Sequence, residues 1–134
     1  MTKMIKYFCI LLIYSLSVFA HHPEHTIQAT EPYPVIWISD YQDNVDGHNI
    51  KIHLENFLFA PEKITYKALG NEGYIVITVN DIPIGRAYSE WFHIPQRFFS
   101  LDTNVVKIIL KTYDHYNLAI NDEIISKEIS IGKY

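Results

Sequence analysis

Seven histidines in 134 residues are the side chains with the widest chemical reach in this chain, and three stand together in His21-His22-Pro23-Glu24-His25. The neutral imidazole nitrogen is the commonest metal ligand in proteins. A histidine at the very N-terminus adds its α-amino nitrogen to its ring nitrogen, a chelate suited to Cu(II), which favours nitrogen ligands in a tetragonal arrangement. That chemistry requires a cut between Ala20 and His21. Residues 1–20 predict it: a basic start with Lys3 and Lys6, an apolar stretch from Tyr7 to Val18 and the small residue Ala20 make the three-part pattern of a secretory signal peptide. A membrane anchor needs about twenty apolar residues, and this stretch is shorter. No basic stop-transfer cluster follows it, since Pro23, Glu24, Glu31 and Pro32 come next. Export to the periplasm or the medium is the expectation.

Given that cut, His21, His22 and His25 are candidate metal ligands in the leading arm, and His93 and His115 are candidates for the second side-chain ligand of a histidine brace. A histidine third from the new N-terminus is absent, because Pro23 stands there with no amide proton to lose. His93 lies among Trp91, Phe92, Ile94 and Pro95, company in which a histidine is often partly buried and hydrogen-bonded. His115 follows Asp114, but neighbouring residues on a strand point to opposite faces, which weakens that pairing. His48, beside a turn, and His53, on a polar face, read as residues without a ligand role.

Other chemistry has little support. The single cysteine, Cys9, falls inside the signal, so zinc-finger, thiol-redox and cysteine-nucleophile readings are excluded. Ser89 and Ser100 have no glycine-rich elbow. Neither a phosphate loop nor a dinucleotide fingerprint is present. The expectation is a binding module and not an enzyme, with copper as the leading cofactor.

The elements that must position these residues are strands. Ile50, Ile52 and Leu54 share one face of a period-two segment, while Lys51, His53 and Glu55 share the other. Val106, Ile108 and Leu110 alternate with Lys107, Ile109 and Lys111, and Ile125, Ile129 and Ile131 oppose Ile124, Glu128 and Ser130. Tyr74 to Val79 is a continuous run rich in β-branched residues, as in a strand buried on both faces. Turn residues punctuate these runs at Asn44–Gly47, Gly70–Gly73, Asn80-Asp81, Asp102–Asn104 and Asn121-Asp122. The pattern predicts an all-β fold, a single immunoglobulin-like antiparallel β-sandwich of about seven strands. Residues 21–32 are expected to be a flexible arm and residues 33–134 the sandwich domain. Removing twenty residues leaves 114, enough for one core. Loss of Lys3 and Lys6 leaves nine basic against fifteen acidic residues, a formal charge of −6, which argues against a nucleic-acid partner.

Several segments carry a resemblance. Gly47-His48-Asn49-Ile50, then Glu55-Asn56-Phe57-Leu58-Phe59-Ala60-Pro61-Glu62, then Gly85-Arg86-Ala87-Tyr88 with Trp91-Phe92-His93-Ile94-Pro95, then Asp114-His115, is similar to a family of uncharacterised bacterial secreted β-sandwich domains. The likeness spans about residues 46–131 and implies export and an all-β fold, without an activity. Relatives often carry a Gly-His-Ala-His-Leu segment where this chain has Gly73-Tyr74-Ile75-Val76-Ile77. If relatives bind a metal through that face, this chain, with Tyr74 and Val76 at those positions, is expected to have lost or altered the site.

Aromatic residues offer a second class of function, a metal-free contact with a protein or a glycan. Tyr33, Trp37, Tyr41, Tyr88, Trp91, Phe92, Phe98 and Phe99 are expected to lie mostly in the core, because a small domain without disulfides needs large apolar side chains. The candidate contact region is Trp91, Phe92, Arg97, Phe98 and Phe99; the paired phenylalanines read either as a plug over one end of the sandwich or as a contact site. After signal cleavage the protein is not expected to be embedded in a membrane.

Overall fold

A computed structural model describes residues 25–63 and 70–132 of the chain. Among them are eleven strands: β1 (Thr26–Gln28), β2 (Val35–Gln42), β3 (His48–Glu55), β4 (Leu58–Phe59), β5 (Glu72–Val79), β6 (Ile82–Ala87), β7 (Trp91–Ile94), β8 (Thr103–Thr112), β9 (Asn117–Ile120), β10 (Glu123–Ile124) and β11 (Ser126–Gly132). Short 3-10 turns at Pro61–Lys63 and Gln96–Phe98 complete the list. No helix of the described residues is long and apolar enough to cross a membrane.

The strands form two packed sheets. The smaller has the order β2-β3-β7 and is antiparallel throughout. In the larger, β5 is flanked by β8 on one side and by β6 and the short parallel β4 on the other. Along its other edge β8 pairs with β11 over Thr103–Ile109 and with β9 at Lys111, and β9 pairs in turn with β10 antiparallel and with β1 parallel. The all-β two-layer expectation therefore holds, with two differences. There are eleven strands where about seven were expected, and two of the pairings are parallel. The extra strands are mostly β1, β4 and β10, two or three residues long, which is too short for side-chain alternation to register in the sequence.

Alternation sets the core. Ile50 and Ile52 from β3 and Ile94 from β7 meet Ile75, Ile77 and Val79 of β5 and Val106, Ile108 and Leu110 of β8, all nearly inaccessible to solvent. Burying each such side chain contributes about 1.5–3 kcal/mol. β5 is buried along almost its whole length, as its continuous apolar run implied. Two of the turns are tight reversals of the kind their residues favour: Asn80-Asp81 has φ of 52° and 65°, and Asn121-Asp122 has 50° and 68°. Positive φ at both central positions matches the right-handed twist of the flanking strands.

The segment expected to be a flexible arm is partly built into the sheet. Thr26–Gln28 pairs with β9, and Ala29 is buried. The Asn71 amide then clasps the following residues, donating to the carbonyls of Thr30 and Pro32 and accepting from the Thr30 N–H. A single side chain replaces the strand partner that Thr30 and Pro32 lack. Residues 21–24, which include His21 and His22, lie outside the described residues.

Candidate functional site

The outward face of the smaller sheet carries the three most exposed aromatics among the described residues, Trp37, Tyr41 and Trp91. Its inward positions on β2 are taken by Ile36 and Ile38, which pack on the core, so Val35, Trp37, Ser39 and Tyr41 face out. Register then decides their neighbours. Trp37 lies opposite His53 on β3, and the two rings stack in parallel with centroids 5.0 Å apart and planes 4° from coplanar. His53 Nε2 is held by Ser39 Oγ at 3.0 Å, which fixes the ring under the indole. Trp91 on β7 lies opposite Lys51, whose ammonium sits 5.5 Å from the indole centroid, a cation–π distance. Tyr41 reaches across β3 toward Trp91, with ring centroids 5.8 Å apart.

Polar groups fill the spaces between the rings. Asn49 lies opposite both Tyr41 and His93; its Oδ1 accepts from His93 Nδ1–H at 2.9 Å, and its Nδ2 donates to Asp43 Oδ2 at 3.3 Å. Asp43 also accepts from the backbone N–H of Val45 at 2.8 Å, closing the β2–β3 turn. Those backbone N–H groups hold its carboxyl below the usual carboxylate range, aided by Asn49 and the His93 charge. The result is a flat surface of rings and hydrogen-bonding groups spread over three adjacent strands.

The region expected to contact a partner divides. Trp91 is 53 % exposed and Arg97 is exposed, lying over the Phe98 ring at 4.8 Å. Phe92 and Phe98 turn inward onto the core, and Phe99 is buried against His48, ring centroids 5.0 Å apart. Of the paired phenylalanines, Phe99 is buried and Phe98 is partly buried against the core. The expectation that the aromatics are mostly core is not met: Tyr33, Trp37, Tyr41, Tyr88 and Trp91 are all exposed. Both alternating sets on β2 are apolar, and burying Ile36 and Ile38 turns the larger rings outward.

Of the candidate metal ligands among the described residues, His93 is separated from His25 and His115. His93 precedes the 3-10 turn at Gln96–Phe98, whose Gln96 N–H donates to Asp46 Oδ1 at 3.0 Å, at the end of the sandwich where β8 begins. His115 sits in the turn where β8 ends, with φ of 69°. Ten residues of β8, roughly 30 Å, separate those ends. His25 belongs to the second group: its carbonyl accepts from the Asn117 N–H at 2.8 Å and its ring meets Tyr116 edge-on at 5.7 Å. Among the described residues, no group of three or more His, Cys, Asp or Glu side chains is placed to hold a metal ion. His48 follows the β2–β3 turn, as read from sequence, and is buried as the first residue of β3; its Nδ1–H donates to Asp40 Oδ1 at 2.8 Å.

On the outward face of the larger sheet the chain covers itself. Tyr74 and Tyr113 are buried with Ala60 in a small satellite cluster, and the Ala60 N–H donates to the Tyr113 hydroxyl. Tyr74 is hydrogen-bonded through its hydroxyl to His115 Nδ1 at 2.7 Å, and Arg86 lies over its ring at 5.0 Å. Burial pushes the Tyr74 hydroxyl above its ordinary pKa, while the Arg86 charge works the other way.

Trp37, Tyr41, Lys51 and His53 therefore join Trp91 and His93 as functional candidates. Their signal in the sequence is the polar alternation of β3, which marks that face of the small sheet as wet. No protein-family model, curated protein or solved structure matches this chain.

Proposed function

We propose that this protein is an exported binding module that recognises a glycan through the outward face of β2, β3 and β7. The observation that carries the reading is the pair of aromatic stations, Trp37 stacked on His53 and Trp91 beside Tyr41 and Lys51. A sugar ring has an apolar face of C–H groups and a rim of hydroxyls. Exposed indole rings suit the first, and Asn49, Lys51 and His93 on the same surface suit the second. Two indoles left in water also serve no purpose in the core, and exposed aromatic patches mark interaction surfaces.

Affinity electrophoresis of the protein through gels containing soluble β-glucans, galactans or peptidoglycan fragments tests this. Retardation by at least one polymer is expected, with Trp37→Ala and Trp91→Ala each weakening it tenfold or more, since a stacked aromatic anchor contributes about 2 kcal/mol or more. Unchanged retardation in the folded double variant, or none for the unaltered protein on any polymer, would sink the reading. Retention by a protein partner instead would return the surface to the protein-contact alternative.

A second reading is supported by the position of His25. That residue is anchored beside Tyr116 and Asn117, so the preceding residues start from the end of the sandwich carrying the β8–β9 turn, far from His93. Copper bound after signal cleavage by the His21 amine and ring, with His22 and His25, needs no ligand from His93. Titration with Cu(II) of the protein starting at His21 is expected to show at least tenfold tighter binding than a version with one added N-terminal residue. Equal affinity removes any role for the α-amino group.

A further inference from the structure

Arg86 on β6 and Lys111 on β8 stand on either side of β5. Lys111 pairs with Tyr74 and Arg86 with Val76, and these two β5 residues floor a depression of about 410 Å3 that both cations line. Adjacent strands are about 4.8 Å apart, so the two flanking chains lie roughly 10 Å from one another and long side chains from each reach over the central strand. His115 lines the same depression, beyond the end of β8.

Charge distinguishes this hollow from the rest of the surface. The chain carries a formal net charge of −4. Even so, the ion pairs among the described residues are His48–Asp40 and Lys63–Glu72, and neither involves Arg86 or Lys111. Two cations facing one concavity repel each other unless an anion or solvent lies between them. The guanidinium is also positioned over the Tyr74 ring and beside Tyr88, with N–H donors left to be used. Arg86 is the cation beside the Tyr74 hydroxyl, and no carboxylate is among the described residues that line the depression. When Tyr74 O–H donates to His115 Nδ1, the proton of the neutral imidazole sits on Nε2, which adds a further donor.

We infer that this depression binds an oxyanion group of a small ligand, a carboxylate, sulfate or phosphate, clamped between Arg86 and Lys111 with His115 and Tyr74 at one end. Planar forked donors beside a compact ammonium suit such a group. The site lies on the opposite outer face of the sandwich from Trp37 and Trp91, so it stands independently of the glycan reading.

NMR titration of the 15N-labelled protein with sodium sulfate, inorganic phosphate and glucuronate, against sodium chloride at matched ionic strength, tests the assignment. Saturable shifts are expected at Gly85, Arg86, Lys111 and His115 with at least one oxyanion and not with chloride. Arg86→Gln and Lys111→Gln should each weaken binding tenfold or more, whereas Lys127→Gln, on exposed β11, should leave it within twofold. Tighter glucuronate binding identifies a carboxylate ligand, and tighter sulfate or phosphate binding a tetrahedral one. Absence of saturation with all three probes, or equal affinity in Arg86→Gln and the unaltered protein, overturns the proposal.

Discussion

Tyr74 and Trp91 occupy comparable places, each on the outward face of one of the two sheets, yet Tyr74 is 2 % exposed and Trp91 is 53 % exposed. The difference lies in what each sheet does with its outer surface. On the larger sheet, Tyr113, Ala60, Arg86 and His115 close over Tyr74, and its hydroxyl is paired. On the smaller sheet, among the described residues, Trp37 and Trp91 meet His53, Lys51 and Tyr41, residues of the same open face. One outer face thus buries its ring and keeps only the depression between Arg86 and Lys111 open, while the other holds large rings in a fixed array and leaves them available.

Gly73 provides the strongest way to break the closed side. A Cβ added there would lie 1.8 Å from the Lys111 carbonyl oxygen, so β5 and β8 approach each other more closely than any side chain permits. Gly73→Ala must push apart the central pair of the larger sheet, and overpacking of this kind costs about 3 kcal/mol or more. For a domain of this size that corresponds to a drop in Tm of roughly 15 °C, measurable by thermal unfolding followed by circular dichroism. A change under about 2 °C would mean that the sheet relaxes around the methyl group and that its closure is less tightly specified.

The same measurement on Trp37→Ala and Trp91→Ala should give a much smaller effect, within about 1 kcal/mol, because half-exposed side chains contribute little to the core. These are the substitutions expected to cost glycan affinity most. If instead they destabilise as severely as Gly73→Ala, the rings hold the small sheet together and the contrast between the two faces disappears.

How much of this was legible in the sequence follows from the same physics. β3, β5 and β8 announce themselves because their faces differ in polarity or, for β5, because both are apolar. β2 is ambiguous: Ile36 and Ile38 compete with Trp37 and Tyr41 for the inside, and the winner is set by the facing sheet. The aromatic platform was therefore present as residues but hidden as a surface. β1 was hidden for another reason, since a three-residue strand depends on a parallel partner about ninety residues away and on the Asn71 clasp. The depression between Arg86 and Lys111 required the register of three strands, which composition does not encode.

The smallest effect expected is also the most specific to the open face. Asp43 closes the β2–β3 turn through the N–H groups of Val45 and Asp46 and holds Asn49, which in turn accepts from His93 beside Trp91. Its pKa in the folded protein is lowered, chiefly by those backbone N–H groups. A depressed carboxyl stabilises the fold at pH values above its unfolded pKa of about 3.9, and that contribution is lost as pH falls through the lower folded value. Asp43→Asn removes the charge, so the unaltered protein should be slightly the more stable at pH 6, and the gap in Tm should close below about pH 4. Affinity for a polysaccharide bound at Trp91 should follow the same course, because the carboxylate orders Asn49 and, through it, His93. A gap that stays constant from pH 6 to pH 3 would show that the turn is held by its backbone alone, and that the open face owes its order to the packing of Ile50 and Ile52 beneath it.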